Sequence, residues 1–137
     1  MIGFLRCRRG ASAVEFAMVL PIFFTIVFGI IVFGSYLAVV HGVQQLAAEA
    51  ARSSIAGMSE TERGSLASQY VNANAGNYPM IDSKRITISA GASPANAKVF
   101  VVTINYDASN SFIYALPLVP MPPSKIARSV AIPYGGF

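Results

Sequence analysis

The sequence predicts an α+β chain. A long N-terminal helix crosses a membrane and runs on into a small outward domain, which adds a second helix and roughly three antiparallel strands. Three observations predict it. Residues 16–40, FAMVLPIFFTIVFGIIVFGSYLAVV, hold no charge. Residues 41–57, HGVQQLAAEAARSSIAG, keep helical spacing beyond that run. After residue 84 the apolar period shortens to the alternation of strands.

The apolar run is long enough to span. About 20 apolar residues cross a bilayer as a helix. A buried core helix of this length would show a polar face, and a secretory signal has a shorter apolar stretch, of ~7–15 residues, ending at a small-x-small site. Neither describes this run. Arg6, Arg8 and Arg9 precede it, and no Lys or Arg follows until Arg52. The positive-inside rule therefore puts the N-terminus in the cytoplasm and residues after about 41 outside, in the periplasm or beyond. The membrane part is placed at about 14–40. Pro21 removes one helix hydrogen bond and favours a kink or loosened turn. Gly34, Ala38 and Gly42 recur every four residues, as a small-residue ridge for helix packing would.

Beyond the membrane, Ala, Leu, Gln, Glu and Arg favour continued helix to about residue 56. Val39, Val43, Leu46 and Ala50 share one face, and Gly57 fits a C′ stop. Ser59-Glu60-Thr61-Glu62 reads as a capping box that opens a second helix to about Ala73. Leu66, Tyr70 and Ala73 form its thin apolar stripe. Asn74, Gly76, Asn77 and Pro79 end it. KRITISA (84–90), KVFVVTINY (98–106) and KIARSVAI (125–132) read as three strands. The first two form an antiparallel hairpin across a long loop, GASPANA. Phe100, Val102, Ile104 and Tyr106 share a face, as do Ile126, Val130 and Ile132, where Arg128 interrupts. DASNSFIYALPLVPMPPS (107–124) is apolar yet carries Pro117, Pro120, Pro122 and Pro123, so it is neither central strand nor continuous helix. Two readings stay open for it. It folds back over the sheet and buries Phe112, Tyr114 and Leu116, or it offers an apolar surface to a partner or the membrane interface.

Charge excludes some functions. The net charge is +4. From residue 10 onward seven basic side chains face six acidic ones, so the excess lies in the first ten residues. Nucleic-acid binding needs a basic face on the folded part, and none is present. Cys7 is the only cysteine, so no internal disulfide is expected. His41 lacks neighbouring Cys or acid at ligand spacing, and no nucleophile elbow or phosphate loop occurs. No enzyme activity, cofactor, metal or small-molecule substrate is expected. Glu15 stands out instead. A charge inside a membrane helix costs about 2.5–3.5 kcal/mol on insertion scales and usually pairs or marks function. Snorkelling to the headgroups is the plain alternative.

Gly10 followed by ASAVEF resembles a type IV prepilin cleavage site, G/xxxxE[F/Y]. The resemblance makes Met1–Gly10 a leader that a prepilin peptidase removes, Ala11 the new N-terminus and Glu15 the fifth mature residue, followed by Phe16. AVEFAMVLP (13–21), ending in Pro21, resembles the A-V-E-F-A-L-x-x-P core of the TadE-like (TadE/TadF) pseudopilins of tight-adherence (Flp, type IVb) pilus assembly. LAAEAARSSIAG (46–57) resembles their A-x-E-A-A-R segment, and 101–133 matches their C-terminal part more loosely. The resemblance implies a type IV pilin-like fold with a leader at 1–10, a long helix at 11–56 and a periplasmic α+β domain at 57–137. It implies a single-pass inner-membrane protein whose partners are the peptidase, other pilins or pseudopilins and the inner-membrane assembly platform. The domain exceeds that of a major Flp pilin, which points to a minor pilin or pseudopilin. A minor pseudopilin of a type II-like secretion system, or a bitopic membrane-anchored binding module, is the alternative.

Overall fold

The structure, a computed structural model, describes residues 8–116 and 118–134. The expected leader as far as Cys7, Pro117 and residues 135–137 lie outside the described residues. Two helices pack side by side on one face of a three-stranded antiparallel sheet, in the order β1-β2-β3.

Helix α1 runs unbroken from Arg8 to Ser54, 47 residues. At ~1.5 Å per residue that is roughly 70 Å. Pro21 lies within it without ending it, and the Thr25 hydroxyl donates back to the Pro21 carbonyl at 2.8 Å. Only the upper part of α1 meets the domain. Val39, Val43, Leu46, Ala47, Ala50 and Ala51 are buried there.

Helix α2 (Glu60–Asn74) begins at the expected Ser59, whose hydroxyl accepts from the Glu62 N–H at 3.1 Å. The Glu62 carboxylate reaches back to the N–H of Met58 (2.8 Å), one residue before the usual capping-box partner. The buried face of α2 is Ala67 and Val71, continued by Ala75 just past its end. Leu66 and Tyr70 flank it half-buried, and Ala73, expected in the stripe, is exposed. Small residues win the contact face because α2 lies directly against α1.

Gly57 does not stop the first helix through a left-handed backbone, since its φ is not positive. Its reason is proximity: a Cβ there would lie 2.7 Å from the Arg63 backbone N and 3.0 Å from its Cα. Arg63 then ties three parts together. Its Nε donates to the Gly57 carbonyl at 3.0 Å, and its guanidinium sits 4.8 Å from the Tyr134 ring centroid. Tyr134 in turn meets Phe100 edge-on.

The strands are β1 (Ile86–Ser93), β2 (Asn96–Asp107) and β3 (Lys125–Pro133). The hairpin is tighter than expected. Only Pro94 and Ala95 turn between β1 and β2, and the register shifts after Ala92. Thus most of GASPANA belongs to strands, with a bulge absorbing the extra β2 residues. Phe100, Val102, Ile104 and Tyr106 alternate inward as expected and are buried. Arg128 sits opposite Ile104 on β3, half-buried at the sheet edge, and its Nη1 reaches the Ala127 carbonyl.

Between α2 and β1, Tyr78-Pro79-Met80-Ile81 forms a turn closed by the Ile81 N–H on the Tyr78 carbonyl (3.4 Å). Met80 has φ 65°, the conformation a type II turn demands at its third position. The Tyr106 hydroxyl donates to the Met80 carbonyl and accepts from the Asp82 N–H, both at 3.2 Å.

The proline-rich segment is a closed loop. Its ends meet through the Ala108 N–H and Ser124 carbonyl (2.8 Å), and the Tyr114 hydroxyl donates across it to Pro123 (3.0 Å). A 3-10 turn, Phe112–Ala115, packs against α1. Ala108, Ile113 and Pro122 are buried, Tyr114 and Leu116 are half-buried, and Phe112 is exposed. The expectation that Phe112 is covered is therefore corrected. The loop turns toward the helix, and a one-turn 3-10 segment presents only part of its circumference to it.

Candidate functional site: the bare helix

The first 22 residues with described side chains, 10–31, are exposed or half-exposed throughout. At ~1.5 Å per residue this stretch is about 33 Å long, enough for the ~30 Å hydrocarbon core. It is the apolar end of α1, and only 6% of its most apolar window is buried. Phe16 is 66% exposed and Met18 73%. Phe23, Phe24 and Phe28 touch mainly one another, with ring centroids 6.0 Å apart. Apolar area on this scale must be covered by lipid or by other helices, because water disfavours it by roughly 25 cal/mol per Å².

Gly10 and Ala11 lie in the first turns of the helix and are exposed. Nothing in the chain folds over the 10–11 peptide bond among the described residues. Glu15 follows one turn later, also exposed. Arg52–Glu49, at 2.8 Å, is the one ion pair among the residues from Gly10 onward whose side chains the structure describes. Phe16 and Pro21 share this uncovered end.

The three small residues do not form one open ridge. A Cβ on Gly34 would meet nothing within 4 Å, and Ala38 is exposed. Gly42 is already occupied by the domain, since its Cβ would stand 2.9 Å from Ile81 Cδ1 and 3.6 Å from the Tyr78 ring.

The 46–52 segment has a physical reading. Leu46, Ala47, Ala50 and Ala51 are fully buried, whereas Arg52 is exposed and Glu49 half-exposed. The alanines let α2 and the sheet approach α1, and the Glu49–Arg52 pair points away. An exposed pair of this kind contributes at most about 1 kcal/mol.

A shallow cleft of about 380 Å³ opens elsewhere, lined by Asp82, Arg85, Tyr106, Asp107 and Phe112 among others. Its polar groups are engaged in local turns. Asp82 accepts from the Lys84 N–H, Asp107 from the Ser109 N–H, and Arg85 reaches the Ser109 hydroxyl. The hydrogen bonds from Ser109 hold the Asp107 carboxyl below the usual range, with smaller help from Arg85 and Lys125. These groups stabilise a corner and do not converge on a reacting centre. No group of metal-ligating side chains is present among the described residues.

Sequence reasoning missed one contact near the membrane. Val32 is fully buried, although it lies in the apolar run. Tyr36, one turn above it on the same face, lies close enough to Tyr114 to raise that phenol's pKa, after burial as the main cause. The signal was Tyr36 itself, since Tyr is enriched at membrane–water boundaries.

No curated protein and no solved structure matches the chain. A family model does match: residues 10–52, the bare helix together with its upper packing face, are similar to the family described as TadE-like protein.

Proposed function

We propose that this TadE-like chain is a minor pilin or pseudopilin of a tight-adherence pilus. A prepilin peptidase cuts it after Gly10 in the cytoplasmic membrane, and its helix then packs among those of other pilins. The observation that carries the reading is the uncovered apolar helix with Glu15 one turn beyond the Gly10–Ala11 bond, inside a segment that fits the family.

The chemistry is simple. Hydrolysis of the Gly10–Ala11 bond detaches the arginines of the leader and frees an α-amino group on Ala11, with an ordinary pKa of about 7.7–8.0. In parallel, staggered helices that ammonium meets the Glu15 carboxylate of a neighbour. Such a pair offsets the cost of placing each charge in an apolar setting, though it adds little net stability. Its value is register, as for other buried polar pairs. Open positions Gly34 and Ala38 allow close helix approach. Pro21, without an N–H, lets the helix loosen during its extraction from the bilayer. The outward domain, 57–137, is what the helix delivers, at the pilus tip or at the assembly platform in the inner membrane.

N-terminal sequencing of the chain from cells with and without the peptidase tests the processing step. The mature chain begins at Ala11 only where the peptidase is present. A chain that keeps Met1 in peptidase-positive cells would sink it.

A further inference from the structure

We propose that the proline-rich loop, residues 108–124, is a membrane-surface foot: it rests in the outer lipid interface and inserts Phe112 and Leu118 among the headgroups and upper acyl chains. The inference rests on the helix spanning the membrane, not on its assembly into a pilus.

Three observations place the loop at that level. First, the turn Phe112–Ala115 packs on α1, and Tyr36 of α1 and Tyr114 of the turn both pack, partly buried, against the same core. Tyr36 and the buried Val32 lie four and eight residues below Val40, roughly 6 and 12 Å along the axis. That matches the ~5–10 Å to which interfacial segments sink. Second, the loop's outer side is apolar. Phe112 is 54% exposed and Leu118 58%, and Met121 is partly exposed with them. Ile30, Ile31, Phe33 and Leu37 of α1 are exposed as well. Third, the loop is closed on itself and anchored. Its neck is closed by Ala108–Ser124, the Tyr114 hydroxyl is tied to Pro123, and Ile113 anchors it.

Lipid is the occupant because the loop packs on the helix whose exposed apolar run needs lipid cover, and its own Phe112, Leu118 and Met121 are exposed. Prolines suit the position, since each removes an N–H that would need a partner away from water. No Lys, Arg, Asp or Glu occurs between Asp107 and Lys125.

The chain has no tryptophan, so a single one reports its own surroundings. Full-length Phe112→Trp, Leu118→Trp, Phe24→Trp and Ser65→Trp are reconstituted in phosphatidylcholine vesicles brominated near the headgroup or near the chain ends. The Phe112→Trp and Leu118→Trp proteins should show blue-shifted emission and lose most of it to shallow bromines, more than to deep ones. Phe24→Trp, within the span, should be quenched by the deep bromines. Ser65→Trp, on the exposed side of α2, should respond only to aqueous iodide. If Phe24→Trp responds as stated while both loop variants respond to iodide and not to bromolipid, the foot is overturned. Loop variants shielded from both quenchers, with emission that depends on protein density, would assign the surface to a second copy and overturn it too. If Phe24→Trp escapes the deep bromines, the span fails and the foot with it. Leu118→Trp carries the measurement should Phe112→Trp fold poorly.

Discussion

Two glycines in the same chain should answer an added methyl in opposite ways. At Gly57 the new Cβ would stand 2.7 Å from the Arg63 backbone N, 2.8 Å from its Cγ and 3.0 Å from its Cα. Backbone atoms in the first turn of α2 cannot step aside without tilting the helix off α1. Overpacking of this kind costs about 1–3 kcal/mol. The shift also weakens the Arg63 Nε bond to the Gly57 carbonyl, worth about 1 kcal/mol. Gly57→Ala should therefore cost about 2–4 kcal/mol, on the order of 10–30 °C in Tm for a domain of this size. At Gly42 the obstacle is Ile81 Cδ1 at 2.9 Å, the free end of a side chain. Turning Ile81 costs about 0.5–1.5 kcal/mol, while Ala in place of Gly in a helix returns about 0.8–1.0 kcal/mol. Gly42→Ala should leave stability within about 1 kcal/mol of the parent. Urea unfolding of the full chain in detergent micelles, followed by the near-ultraviolet dichroism of its tyrosines, measures both. Equal losses at the two sites, or a Gly57→Ala protein as stable as the parent, would refute the packing of α2 against the 55–59 connection.

Other outcomes follow from single contacts. Ser59→Ala removes the acceptor of the Glu62 N–H and should cost about 0.5–2 kcal/mol in the same urea titration. The Asp107 carboxyl is held below its unfolded value, chiefly by the Ser109 N–H at 3.0 Å. Its contribution is present above the ordinary value of about 3.9 and fades as pH falls through the lower folded value. Asp107→Asn should accordingly remove that part of the acid sensitivity, read as a flatter stability curve below about pH 4, while the same acid loss in both proteins would contradict it.

The parts of the fold that were legible share a cause. The alternation from Phe100 to Tyr106, the unbroken apolar run and the Ser59 cap each state their environment within a few residues of chain. What was hidden depends on residues far apart in sequence. Gly57 is explained by Arg63 backbone brought close by a tight connection, and Gly42 by Ile81. Nothing local marks Met80 for a positive φ, because Pro79 suits a type I turn, with a negative φ at the third residue, as well as a type II turn. The loop's direction was undecided from its composition, since prolines and apolar residues suit a sheet cover and a membrane foot alike. Its packing on α1 became visible only in the fold. At the N-terminal end the spacing of Gly10, Glu15 and Phe16 carried the whole reading, because an uncovered helix has no tertiary contacts to add to it.

The central claim is that Glu15 serves assembly after cleavage and does not merely sit at the membrane edge. Glu15→Ala, expressed in place of the parent chain in cells that make these pili, tests it most directly, with the mature N-terminus and surface pili scored together. The account predicts a chain that still begins at Ala11 but supports few or no pili. Normal piliation by that processed chain would contradict it.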